Sequence, residues 1–233
     1  MAAVANYDWE RDGRGAQTEA SLTTDELIGA LASDVARRPP KPALLVALAS
    51  MVAVIVAAIG FFAFVGLRPD IGGAMLTWRF DFKFVLTLLA AGTSLNCLYR
   101  SLQPGRRPGL AESMLAAAPL LLLAGAVVEL VMLPPATWAM TAVGKNSMQC
   151  LTIIPLLGAV PLGAMMLAAR GGAPTRPAFT GMLAGLAAGG IAATFYAANC
   201  TDDSPLFVLA WYPLAISALG LAGMAIGPLV LKW

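Results

Sequence analysis

Residues Ala43–Leu67 read ALLVALASMVAVIVAAIGFFAFVGL, an apolar run of 25 residues without a single charged side chain. A helix rises about 1.5 Å per residue and the hydrocarbon core of a bilayer is about 30 Å thick, so a run of this length crosses a membrane. Five further runs follow the same pattern: Phe82–Tyr99, Met114–Leu133, Cys150–Ala169, Phe179–Asn199 and Leu206–Leu231. The second run is short, and Lys83 and Arg100 are expected to snorkel from its two ends. Backbone facing lipid must satisfy its own hydrogen bonds, so the runs are expected to be helices. Pro119, Pro155, Pro161 and Pro213 are expected to kink or locally break theirs. The expected fold is an all-α, integral-membrane bundle of six helices.

Composition excludes most alternatives. Of 233 residues 59% are apolar and 12% charged, against about 45–50% and about 25% in soluble domains. Such a chain cannot cover a water-facing surface, and a net charge of +2 is no nucleic-acid footprint. With no histidine at all, His-based triads, haem ligation and most zinc chemistry are closed off. Walker, GxSxG and CxxC motifs are also missing, and no enzymatic activity, cofactor or metal site is expected.

The basic residues give the orientation. With the N-terminus inside, nine Lys and Arg of the membrane-proximal segments fall on the cytoplasmic side and four (Arg68, Arg79, Lys83, Lys145) on the other. Positive residues accumulate inside, which is expected to place both termini in the cytoplasm; that needs an even number of spans, and six satisfies it. The first span begins too late and runs too long for a signal peptide.

Seven of the 13 acidic and five of the 15 basic residues lie in residues 1–42. Residues 1–21 show no apolar periodicity and are expected to form a tail. Residues 22–42 contain LTTDELIGALASDVAR, in which Thr23 and Glu26 have capping-box spacing. Leu27, Ile28, Leu31 and Val35 then form one apolar face, with Asp25, Glu26 and Asp34 elsewhere on the surface. Pro39 and Pro40 end this short amphipathic helix. It has two resting places open to it: the membrane surface with its own loops, or a groove on a soluble partner. Residues 43–233 make up the membrane domain.

Three cysteines punctuate that domain. Cys150 opens the fourth run and Cys200 closes the fifth, so both fall at the outer face, whereas Cys97 falls at the inner one. About 30 Å separates the faces, and Cys97 cannot pair with either of the others. Two cysteines at one depth on an oxidising side are candidates for a disulfide or redox role, or are small apolar residues packed at helix ends. Glu129 lies inside the third run, where an ionisable residue is a candidate functional group; it is also near enough to the interface to pair with Lys145. Asp202 and Asp203 follow Cys200 and either join a metal site with thiolates or are solvated loop residues. Gly181, Gly185, Gly189 and Gly190 put small residues on the fifth run, which permits close packing within the chain or a homo-oligomer. Trp138, Trp211, Tyr212 and Trp233 are expected as interface anchors.

The segments CLTIIPLLGAVPLGAMMLAA (150–169), RGGAPTRP (170–177), GMLAGLAAGG (181–190), YAANCTDDSP (196–205) and FVLAWY (207–212) together resemble the NrsF family. The start LTTDELIGAL (22–31) is similar to that family's usual opening, and Asn199 stands where many relatives carry histidine. The resemblance implies a six-helix regulator of the bacterial inner membrane that sequesters an extracytoplasmic-function sigma factor. Asp25, Leu27, Ile28, Leu31 and Val35 would bind the partner, and Cys150 and Cys200 would sense an oxidant or a thiophilic metal. Membrane lipids are the other expected partners. The competing expectations are a small-molecule permease using Glu129 and a membrane thiol enzyme using Cys150.

Overall fold

The computed structural model describes residues 23–26, 28–29, 41–103, 109–172 and 174–231. The chain divides into two units, Met1–Pro39 and Pro40–Trp233. In the first, residues 24–26 and 28–29 are helical. Thr23 and Glu26 form the expected reciprocal cap: the Thr23 amide donates to Glu26 Oε2 at 2.9 Å, and the Glu26 amide donates to Thr23 Oγ1 at 3.3 Å.

The second unit contains the six membrane helices: α1 (Pro42–Phe64), α2 (Trp78–Ser101), α3 (Ala117–Met132), α4 (Ser147–Arg170), α5 (Pro177–Ala197) and α6 (Pro205–Val230). All six are long and apolar enough to cross a membrane, α3 and α4 together with the short helical turns that precede them. No strand occurs among the described residues. The fold is an all-α membrane bundle. Because the spans are even in number, α1 begins and α6 ends at the same face. The connections 65–77, 133–146 and 198–204 lie at the opposite one, called here the distal face.

Local chemistry explains the boundaries. Proline occupies the first turn of α1, α5 and α6, where its missing amide costs nothing. At the end of α1, Gly66 adopts φ +75° and its amide donates to the Phe61 carbonyl at 2.8 Å. This left-handed cap stops the helix short of the expected Leu67. In contrast, α2 starts at Trp78 rather than Phe82, and so takes Arg79 and Asp81 into the helix as well. Lys83 does not snorkel to the interface; it is wholly buried against partners described below. The prolines break nothing: α4 runs unbroken through Pro155 and Pro161, and α6 through Pro213. Pro119 sits in the first turn of α3, directly after the 3-10 turn Met114–Ala116, and the helix continues past it to Met132.

Helix α5 is the centre of the bundle, packing against α6, α2, α4 and α1. Its most apolar stretch is 67% buried, against 28–44% in the other spans. The glycine run accounts for this. A Cβ on Gly185 would meet the Leu219 main chain of α6, and one on Gly190 would sit 2.7 Å from the Ala91 amide nitrogen of α2. Between helices in lipid there is little hydrophobic drive, so close backbone approach supplies the attraction. The small residues of α5 are thus used inside the chain. Large side chains such as Phe62, Leu88, Val131, Leu156 and Leu229 face outward, as lipid requires. Tyr212 is not an interface anchor; it is buried beside Tyr196, ring centroids 6.3 Å apart. Trp211 and Trp138 bond main-chain carbonyls near the distal face, of Ala142 and Leu133 respectively, and Trp233 lies outside the described residues.

Candidate functional site

The polar chemistry of the bundle converges on the distal connection between α5 and α6, Ala198–Ser204, sequence ANCTDDS. Every residue of this loop is tied to another element. The Ala198 carbonyl accepts from the Arg68 amide, and Asn199 Nδ2 donates to the Gly66 carbonyl at 3.0 Å. The Cys200 carbonyl accepts from Lys83 Nζ at 2.9 Å and from Arg68 Nη1 at 3.2 Å. Asp203 takes the same two cations, Lys83 at 2.5 Å and Arg68 at 2.9 Å. Arg68 completes its fork on Asp70 at 2.7 Å. Hydrogen bonding to Asp70 is the main force raising the Arg68 pKa, and Arg68 in turn holds Asp70 below the usual carboxylate range.

Asp202 does different work. Its Oδ2 accepts from the amides of Lys145 and Asn146 and from Asn146 Nδ2, each at 2.8 Å. Asn146 is the residue that caps α4, and its own side chain makes no capping bond. Thr201 Oγ1 accepts from Asn146 Nδ2 at 2.9 Å. The two acids expected as solvated or metal-directed residues are instead an ion-pair partner and a helix cap. Among the described residues no three His, Cys, Asp or Glu side chains converge as a metal would need.

Glu129, near the distal end of α3, is 1% exposed. Its partner is Arg79 at 3.1 Å, not Lys145. Its Oε2 accepts from Ser204 Oγ at 2.5 Å and from the Leu206 amide at 3.1 Å. Glu129 therefore fastens α3 to the start of α6 and to α2.

The thiols sit beneath this polar lid. Cys150 and Cys200 are both fully buried, within one cluster that includes Tyr196, Tyr212, Phe207 and Ile154. They are not joined in a disulfide, but are near enough to interact. Hydrogen bonding with the Cys150 thiol lowers the pKa of Cys200; burial opposes this and the Lys83 ammonium reinforces it. The Tyr196 and Tyr212 hydroxyls are buried in the same cluster. Cys97 belongs to a separate cluster with Leu98, Met165 and Ala169.

Of the residues expected to bind a partner, Asp25 and Ile28 are exposed, Ile28 at 57%. Leu27, Leu31 and Val35 lie outside the described residues. Sequence reasoning found the thiols, Glu129 and both aspartates, but missed Arg68, Arg79, Lys83, Asn146 and Ser204. A signal did exist for Lys83: a cation inside an otherwise apolar run must find a counter-charge.

A family profile described as negative regulator of sigma F, NrsF, matches residues 31–233. The anti-sigma-F factor NrsF of Caulobacter vibrioides is 33% identical over 220 residues, covering 91% of this chain and 100% of that protein. The probable anti-sigma-F factor NrsF of Azospira oryzae is 30% identical over 214 residues, again with 91% and 100% covered. These are names of regulators and not of enzymes, in line with the sequence expectation. No solved structure is significantly similar to the chain. With a family profile that spans the whole membrane bundle and relatives matched over their full length, the chain belongs to the NrsF family of negative regulators of sigma F.

Proposed function

We propose that this protein is an anti-sigma factor of the bacterial inner membrane, with both termini in the cytoplasm, that sequesters an extracytoplasmic-function sigma factor. The observation that carries this reading is the likeness, over 91% of this chain, to a named anti-sigma-F factor. Residues 22–42 are the partner-binding segment: a capped helix start with exposed Asp25 and Ile28, continued in the sequence by Leu27, Leu31 and Val35. Residues 43–233 anchor it, and residues 1–21 precede it as a tail.

The signal enters at the distal face, which is then periplasmic. An oxidant or thiophilic metal engages Cys150 and Cys200, and the loop that carries Cys200 moves. Because that loop is bonded to Arg68, Lys83, Lys145 and Asn146, its displacement pulls on the start of α2, on the start of α4 and on the connection after α1. A bias of a few kcal/mol between two bundle states is enough to change the hold on the sigma factor. Glu129 supports this reading over transport, since its carboxylate is spent on Arg79, Ser204 and Leu206.

The test is a sigma-dependent reporter in cells carrying Cys150→Ser and Cys200→Ser together, with Cys97→Ser as comparison. The paired substitution should abolish induction by oxidant or thiophilic metal while repression persists. Unchanged induction would contradict the thiol reading.

A further inference from the structure

The two thiols come from separate elements, Cys150 from the first turns of α4 and Cys200 from the distal loop, and something must hold them in register. We propose that Asp202 is the positioning residue that sets the approach of Cys150 to Cys200. This deepens the proposed sensing role and rests on it for its biological meaning.

Asp202 bonds both sides of the pair. On the α4 side, its carboxylate takes the main-chain amides of Lys145 and Asn146 at 2.8 Å each. The Asn146 carbonyl then accepts from the Cys150 amide at 2.9 Å, which fixes the turn that carries Cys150. On the loop side, the Asp202 carbonyl lies 3.7 Å from Cys200 Sγ as its acceptor. One residue therefore ties the backbone ahead of one thiol to the sulfur of the other.

The electrostatics agree. The amides at the start of a helix form a positive pole that an anion stabilises, yet α4 has no acidic residue in its first turn and no side-chain cap of its own. Asp202 supplies an anion at that end from another part of the chain, on the two amides just ahead of the first helical residue. The approach is also tight enough to dictate the facing residue. Gly144 has φ +59°, and a Cβ there would lie 2.9 Å from the Asp202 carboxyl carbon and overlap the Phe207 ring. Meanwhile Cys200 is held independently through its carbonyl by Lys83 and Arg68. Losing the Asp202 carboxylate should thus loosen the Cys150 end, leaving the Asn146–Thr201 bond as its remaining tie to the loop, without releasing the Cys200 end.

A disulfide tolerates Cβ–Cβ distances of only about 3.5–4.5 Å, so its formation reports such positioning. The full-length chain carrying Cys97→Ser, purified in detergent, is equilibrated with glutathione buffers of graded ratio, and free thiols are counted after alkylation. The reaction is protein dithiol plus oxidised glutathione giving protein disulfide plus two molecules of reduced glutathione. We expect Asp202→Ala to lower the effective concentration of the pair about tenfold or more. Asp202→Asn, which keeps an oxygen acceptor, should lie between it and the parent. A purely structural role would weaken dithiol and disulfide forms alike, lower the melting temperature, and leave this equilibrium unmoved. A parental value in the Ala variant, or a parent that never bridges even in fully oxidised buffer, overturns the proposal. If the Ala variant does not fold, a parental value in the Asn variant does the same. A reporter indifferent to Cys150→Ser and Cys200→Ser would instead remove the sensing reading and leave this equilibrium as measured.

Discussion

Lys83 and Cys200 meet where the second membrane helix touches the loop between the last two: the buried ammonium lies 2.9 Å from the Cys200 carbonyl and 2.5 Å from the Asp203 carboxylate. Removing one member of a buried ion pair costs about 3–5 kcal/mol, because the other charge is left without compensation. Lys83→Met should fall near the lower end, since Arg68 remains on Asp203. Asp203→Asn should cost a similar amount, and the two together should cost less than their sum. Unfolding of the full chain by graded denaturing detergent measures all three; strict additivity would show that the pair is not coupled.

At Glu129 the expected order of variants is set by which bonds survive. Glu129→Gln keeps an acceptor for Ser204 and the Leu206 amide but loses the charge facing Arg79. Glu129→Leu leaves those donors buried without a partner, at about 1–3 kcal/mol for the unmet groups. The Leu variant should therefore be clearly less stable than the Gln variant in the same unfolding assay. Equal stability of the two would contradict the fastening role.

The glycines divide into two kinds that a single methyl group distinguishes. At Gly185 a Cβ would run into the main chain of Leu219 and come within 2.8 Å of the Gly220 Cα. Gly185→Ala should cost about 1–3 kcal/mol by forcing α5 and α6 apart. At Gly92 no atom lies within 4 Å of the added Cβ, so Gly92→Ala should be neutral or gain up to about 1 kcal/mol in helix stability. A reversed order in thermal melts would mean that α5 and α6 are not packed this way.

The capping box carries a pH prediction. The Thr23 backbone amide, then its hydroxyl, lower the pKa of Glu26 in the folded helix. A depressed carboxylate contributes stability above its unfolded value, about 4.3, and loses it as pH falls through the lower folded value. The Thr23 amide resonance of the full-length chain should therefore hold its position from neutral pH down to about 5 and move only below about 4. Glu26→Gln should abolish that acid-side movement. Movement centred at neutral pH would show that Glu26 is not the partner.

Hydropathy fixes how deep a residue sits along a membrane helix, but not which way it faces around the axis. That difference separates what the sequence revealed from what it hid. The six spans, the common depth of Cys150 and Cys200, and the Thr23–Glu26 cap all follow from position along the chain. The partner of Glu129 depended on rotation: Lys145 has a compatible depth, yet Arg79 faces it. Tyr212, expected at the interface, points into the core for the same reason. Lys83, expected to reach for water, finds its counter-charge in Asp203, a residue far away in the sequence. The cap that Asp202 provides to α4 was hidden likewise, because local spacing cannot show a cap supplied by a distant loop.

The most direct test of the central claim is co-purification. The full-length protein and a variant lacking residues 1–36 are extracted in mild detergent, and bound soluble proteins are identified by mass spectrometry. Recovery of a small sigma factor with the full-length chain alone is the predicted result. Absence of any sigma factor from both preparations, or equal recovery with both, would contradict the proposal that residues 22–42 hold it at the membrane.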